Sequence, residues 1–252
     1  MTPANDRRPE NTTIKVELGI AGRKVRLSIP VPSGPTSPYE MLPIFRSLAD
    51  SFINQAVKDV EAQGKRISCA KGCGACCRQL VPISKVEAHR LSDLVRQMPE
   101  ERRAHVESRF ADARGRLAES GLLERLERSE EMERPERVEL GMDYFHQRIA
   151  CPFLEDESCS IHPDRPIACR EYLVTTPAIN CSEPTPETVE CIEVPAKVSN
   201  AVAALDSGSA TDSDGWVPLV LALDWAGSHP DISLPEPGPE ILKKMFDNLA
   251  RR

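Results

Sequence analysis

Cys69-Ala-Lys-Gly-Cys73-Gly-Ala-Cys-Cys77 places four cysteines and two glycines within nine positions. Read as a helix at about 100° per residue, Cys69, Cys73 and Cys76 fall within an arc of about 60°, with Cys77 beside them. Read as a loop, Gly72 and Gly74 free the backbone to fold so that several thiolates converge on one point. Either geometry suits a soft metal, because thiolate is the preferred ligand of zinc and of iron–sulfur clusters. Cysteines also pack as small hydrophobes, but four of them crowded between glycines argue against packing alone.

A second, sparser group follows at Cys151, Cys159 and Cys169. Its neighbours strengthen it: Cys151-Pro-Phe-Leu154, Cys159-Ser-Ile-His162 and Arg165-Pro-Ile-Ala-Cys-Arg170. The prolines fix turns, and Phe153, Leu154 and Ile161 suit a small apolar wall that keeps water from buried thiolates. Arg165 and Arg170 are placed to offset the negative charge of a thiolate site.

These stretches, with Cys69–Arg78, resemble the YkgJ-type cysteine cluster (CxxCxxCC) family of zinc- or iron-chelating domains. The resemblance spans roughly residues 69 to 173, less than half of the chain. It implies a metal site built by Cys69, Cys73, Cys76, Cys77, Cys151, Cys159 and Cys169. Flagellin lysine-N-methylases resemble the same family and are associated with an iron–sulfur centre, so the resemblance also admits a methyl-transfer relative. The N-terminal and C-terminal portions depart from shorter family members. Members often carry Tyr where His162 stands, which argues against His162 as a ligand.

Seven cysteines exceed the four that one tetrahedral zinc takes. They suit a [4Fe–4S] cluster on four thiolates, or two zinc ions sharing a bridge. The crowded Cys76-Cys77 pair and the long gap to Cys151 tip the reading towards iron–sulfur over zinc. C-x3-C-x2-C is also the spacing of radical-SAM enzymes, but charged helices rather than repeating βαβ units follow it, and Ala75 stands where an aromatic is usual. No G-x-S-x-G, G-x-G-x-x-G or Walker-type loop is present. Three functions stay open: a metal-binding protein with a structural or metal-handling centre, an iron–sulfur-dependent protein-modifying enzyme, and a metal-stabilised scaffold for a protein partner. Serine at Cys73 or Cys76 is expected to abolish metal binding.

Cys181 and Cys191 lie outside the shared pattern; they either complete a second site or are free thiols of a structural tail, the second being the preferred reading, so serine at Cys191 should leave metal content nearly intact. Glu87 reads as the partner of Ser84 in a capping box. His89, His105, His146 and His229 show no ligand spacing.

The 252 residues carry 32 Lys and Arg against 39 Asp and Glu, a net charge of −7. That balance argues against nucleic acid, which calls for a basic face. No run of eighteen apolar residues exists to span a membrane, and the first ten residues lack the apolar stretch of a signal peptide. The expected compartment is the cytoplasm, where clustered cysteines read as metal ligands rather than disulfides.

The fold expected is mainly α with a small β-hairpin around a loop-rich cysteine-cluster core. Residues 1–36 would hold a disordered tail over 1–12 and a hairpin, from the alternation at Ile14, Val16, Leu18, Ile20 and at Val25, Leu27, Ile29, Val31, ended by Pro30, Pro32 and Pro35. Residues 37–194 would form the metal-binding domain, opening with a helix whose face is Phe45, Leu48, Phe52, Ala56 and Val60 and whose stop is Gly64. A second helix starts at Ser84, buries Leu91, Leu94 and Val95, and ends by Pro99. Residues 99–137 hold eleven acidic and nine basic side chains in 39 positions. They read as a solvated helical hairpin broken near Gly121, laced by Asp112/Arg116, Glu124/Arg128, Glu130/Arg134 and Glu133/Arg137. Residues 141–194 read as loop, and 195–252 as a C-terminal helical extension, with helices over 195–205 and 216–225, a flexible link over 206–215, and a terminal helix after Pro239.

Overall fold

The structure, a computed structural model, describes residues 10–20, 23–129, 132–185, 187–205 and 215–250. The polar tail over 1–9, the turn at 21–22, Glu130 of the expected Glu130/Arg134 pair and the link over 206–214 lie outside the described residues. The chain is mainly helical with a small antiparallel hairpin, and several of its cysteines cluster in loops.

Strands β1 (Asn11–Ile20) and β2 (Arg23–Pro32) pair with Ile14 opposite Ile29, Val16 opposite Leu27 and Leu18 opposite Val25. Period-two alternation puts these side chains on one face. β2 runs through Pro30 because a two-stranded ribbon leaves each strand a free edge for an imide nitrogen. Short β3 (Pro35–Thr36) leads into α1 (Pro38–Ala62), opened by a Ser37–Glu40 capping box and a proline in its first turn. Met41, Phe45, Leu48, Phe52 and Ala56 are buried along it, and Gly64 follows at φ +79°, a conformation glycine adopts without strain.

β4 (Pro82–Ser84) runs into α2 (Lys85–Arg96), whose start is the expected Ser84–Glu87 box. α3 (Glu100–Glu119) and α4 (Leu123–Glu127) are separated by Gly121 at φ +73°. The charged segment is not simply solvated. Val106, Phe110, Ala113 and Leu117 form a buried stripe at helical spacing, joined by Leu122 and Leu126. Arg116 donates to the Gln147 carbonyl at 2.6 Å, and Arg125 pairs with Asp143 at 2.6 Å, so both helices are tied to the 143–147 stretch.

The segment read as loop from residue 141 begins inside α5 (Arg134–His146). Beyond it lie a tight ribbon, β5 (Leu154–Glu155) with β6 (Ser158–Cys159), and α6 (Ile167–Glu171). α7 (Val198–Ala203) sits within the helix expected over 195–205. The helix expected over 216–225 is replaced at its start by β7 (Trp216–Pro218), which pairs antiparallel with β4, and α8 covers Ala222–Ser228. Pro218 biases Val217 to extended backbone, and β4 is there to pair with it, Ile83 opposite Val217. β8 (Glu236–Pro237) pairs with β3 and feeds α9 (Gly238–Ala250).

Three apolar clusters hold these elements. One gathers α1, β2, α7 and α9 around Phe45, Val31, Val202 and Leu242. A second joins α2 and α3 through Leu91, Val106 and Phe110 to Phe153, Ile161 and Val217. A third packs Leu117, Leu126, Leu140 and Tyr144 around Leu221. Cys151, Cys159 and Cys169 lie half-buried against the second cluster. Among the described residues no helix is long and apolar enough to cross a membrane.

Candidate metal centre

Residues 69–77 take the loop reading rather than the helical one. Gly72 sits at φ +89°, and a 3-10 turn spans Ala75–Arg78 with Cys77 N–H donating to Gly74 O at 3.0 Å. Cys69, Cys73, Cys76 and Cys77 are all half-buried. The two cysteine groups, more than seventy residues apart, meet directly: Cys151 N–H donates to the Cys77 carbonyl at 2.7 Å.

Cys151 then turns sharply, with Leu154 N–H on its carbonyl at 2.9 Å, and the chain enters the β5–β6 ribbon. That ribbon turns on Asp156 at φ 47° and Glu157 at φ 54°, the pair of positive φ values that a two-residue hairpin demands. A glutamate does not favour that backbone, and its carboxylate is the group that holds it there. Arg78 donates to Glu157 through Nη1 at 3.0 Å and Nη2 at 2.6 Å, and to Gly74 O at 2.9 Å. The close of the first cysteine motif is thereby clamped to the ribbon that bears Cys159. Gly74 is required at this seam, because a Cβ there would stand 2.5 Å from Glu157 Oε2, 2.7 Å from Leu154 Cδ1 and 3.2 Å from Glu157 Cα.

α3 holds the same ribbon from outside. Arg109 donates to Pro152 O, Leu154 O and Glu155 Oε1 at 3.1–3.4 Å, and Arg102 to Ser160 O at 3.0 Å. Phe110 meets Phe153 edge to face with ring centroids 5.4 Å apart. Phe153 and Ile161 are buried as the sequence suggests, whereas Leu154 is half-buried.

Cys169 is brought in by α6, and Glu87 places that helix. Buried Glu87 accepts from Ser84 N at 3.1 Å, Ser84 Oγ at 2.9 Å and, eighty residues on, Ile167 N at 2.7 Å. The capping box is therefore only half of its role. Glu87→Ala strands three buried donors, and unfolding in urea should show a loss of about 2–4 kcal/mol. Glu87→Gln, which keeps an acceptor oxygen, should lose less.

The thiols influence one another electrostatically. Cys76 is a neighbour of Cys69, Cys77, Cys151, Cys159 and Cys169. A hydrogen bond from the Cys77 thiol pulls Cys76 down to about 7 and pushes Cys77 upward. Burial raises Cys69, Cys159 and Cys169, and takes Cys151 to about 12. Thiols so buried become thiolates only with a cation beside them. Among the described residues no three Cys, His, Asp or Glu side chains stand close enough to clasp an ion as they are placed.

The two arginines part company. Arg170 turns away from the thiols to Asp50 at 3.1 Å and to the carbonyls of Arg165 and Pro163. Arg165 neighbours Cys69, Cys76 and Cys159, and its Nε is buried without a hydrogen-bond partner. Ser160 Oγ, next to Cys159, is likewise buried and unpartnered. A buried guanidinium N–H is costly to leave unpaired. Thiolates or bridging sulfides would accept it where neutral thiols scarcely do, so the donor set fits a metal–thiolate group. His162 is exposed, and its pKa is lowered by Arg165 beside it.

A cleft of about 430 Å3 opens beside Cys73, lined also by Gly72, Arg78, Phe145, Arg148 and Ile179. Its far wall is a 3-10 turn over Ala178–Ser182 that packs on Ala75–Arg78. That turn buries Cys181, whose thiol neighbours Cys69, Cys73, Cys76 and Cys191 and is raised by burial to about 11. Cys181 is thus beside the cluster, not in a remote tail.

Residues 68–191 match the family model CxxCxxCC, described as a "Putative zinc- or iron-chelating domain". No curated protein and no solved structure matches the chain.

Proposed function

We propose, on the premise set by the CxxCxxCC match over residues 68–191, that this protein holds an iron–sulfur cluster or zinc through Cys69, Cys73, Cys76, Cys77, Cys151, Cys159 and Cys169. The observation that carries the reading is Arg165: a buried, unpartnered N–H standing among thiols drawn from both cysteine groups. The loops that carry the thiols are held by Arg78, Arg109 and Glu87.

Iron–sulfur is favoured over zinc, because seven thiols exceed one tetrahedral zinc and the adjacent Cys76 and Cys77 suit a compact cluster. A bound iron–sulfur cluster supplies electron transfer, while zinc would supply a cross-link or a Lewis acid. Phe153 and Ile161 exclude water from the thiols, and Arg165 offsets their charge. The nine free cysteines suit a reducing compartment such as the cytoplasm. The net charge of −7 suits a metal and a protein partner rather than nucleic acid. A second reading, an iron–sulfur-dependent protein-modifying enzyme of the methyl-transfer type, is favoured by the cleft beside Cys73.

Elemental analysis of protein purified without oxygen tests the proposal. It should find iron with a brown colour, or else zinc, bound in stoichiometric amount. Protein that folds fully while holding neither metal would refute it.

A further inference from the structure

Between α5, α7 and the β4–β7 pair lies a groove of about 290 Å3, a volume that suits a small molecule rather than a protein face. Its walls are apolar: half-buried Leu80, buried Ile83, buried Trp216 and, at the rim, exposed Val138. Among the described residues, Arg137 of α5 is the charged side chain that lines it, and no carboxylate does. The sequence pairs Arg137 with Glu133 at i,i+4. Glu133 is instead the N-cap residue of α5, its N–H on Glu136 at 3.1 Å. The half-buried Arg137 guanidinium has no ion-pair or hydrogen-bond partner among the described residues.

The other polar groups of the groove divide. The hydroxyls of Ser84 and Ser199 are committed to buried Glu87 and Glu171, at 2.9 and 2.5 Å. The Asn200 amide, exposed on α7, has no partner among the described residues. Gly141 is the remaining observation. It stands inside α5, where glycine is a poor helix former. A Cβ there would meet nothing within 4 Å, so packing does not call for glycine. Gly141 lines the groove, and its missing side chain keeps the groove open.

We infer that this groove binds a small apolar monocarboxylate, its acid group on Arg137 and Asn200 and its apolar body along Leu80, Ile83, Val138 and Trp216. A lone planar guanidinium matches a carboxylate in a two-bond fork, whereas a phosphate dianion would keep a charge uncovered. On a chain of net charge −7, a lining with a cation and no anion is a local exception that selects anions. The walls select the body, since a hydrocarbon tail gains by leaving water there and a polar tail finds no partners. No cysteine lines the groove, so the inference goes beyond the metal-binding reading and does not depend on it.

Trp216 is a built-in reporter, because the other tryptophan, Trp225, stacks on His229 outside the groove. In full-length protein carrying Trp225→Phe, octanoate should shift the Trp216 emission to saturation. Acetate, which has the head without the tail, and octanol, which has the tail without the charge, should need concentrations higher by about tenfold or more. Arg137→Gln should bring octanoate to the level of octanol and leave octanol as it was. Gly141→Leu, which fills the groove from a position where a side chain has room to start, should remove the response to both. Arg137 and Gly141 are outside the buried core, so neither variant endangers the fold. No saturable response to octanoate, or one that Arg137→Gln and Gly141→Leu leave unchanged, would overturn the site.

Discussion

Phe153→Ala is expected to cost about 3–5 kcal/mol of stability and to release metal with it. The side chain is buried, and its ring meets Phe110 of α3 edge to face. Its backbone carbonyl accepts from Ser160 N at 2.9 Å, so the residue stands between Cys151 and Cys159 and fixes the spacing of their loops. Truncation opens a cavity between α3 and the ribbon and loosens the seat of two thiols together. Urea unfolding measures the first effect and elemental analysis the second. Phe153→Leu keeps most of the volume and should cost less than about 1.5 kcal/mol, with metal retained. Equal losses from the two variants would place the effect outside packing.

Cys76→Ser should empty the centre. Cys76 is the thiol with neighbours in every part of the cluster: Cys69 and Cys181 on one side, Cys77, Cys151, Cys159 and Cys169 on the other. It is also the one already pulled down to about 7, by the hydrogen bond from Cys77. A hydroxyl of nearly the same size fills the space but does not ligate a soft metal. For a structural thiolate site the binding free energy is on the order of 10 kcal/mol and counts as folding free energy. The variant should therefore unfold at the midpoint of the chelated wild type, and further chelator should not move it. Wild-type metal content together with a wild-type midpoint would remove Cys76 from the ligand set.

The elements that could be read from the sequence are those whose signals are local. The hairpin announced itself by alternation, α1 by its apolar face and its glycine stop, and α2 by Ser84 and Glu87. Val106, Phe110, Ala113 and Leu117 carried the same kind of signal inside α3, but twenty charged side chains around them masked it. Trp216-Val-Pro218 became a strand because β4 was there to pair with it, which no window around residue 216 reveals. That Cys69–Cys77 and Cys151–Cys169 belong together was implied by the family resemblance and by no local signal in either stretch. The contacts that hold them together were not legible either: Arg78 on Glu157, Arg109 on the ribbon carbonyls, and Glu87 on the start of α6 are pairings across 45 to 80 residues. Surface charge and a capping carboxylate look alike in sequence whether or not they also reach a distant loop. Arg165 and Arg170 show the same limit, since one faces the thiols and the other a helix-borne aspartate.

X-ray absorption at the edge of the bound metal, recorded on the wild type and on Cys151→Ser, tests most directly whether sulfurs from both groups share one inorganic centre. The wild type should show a shell of sulfur at about 2.3 Å, and the variant should lose part of that shell or lose the metal. A nitrogen and oxygen shell in the wild type, or a sulfur shell that Cys151→Ser leaves unaltered, would contradict the account.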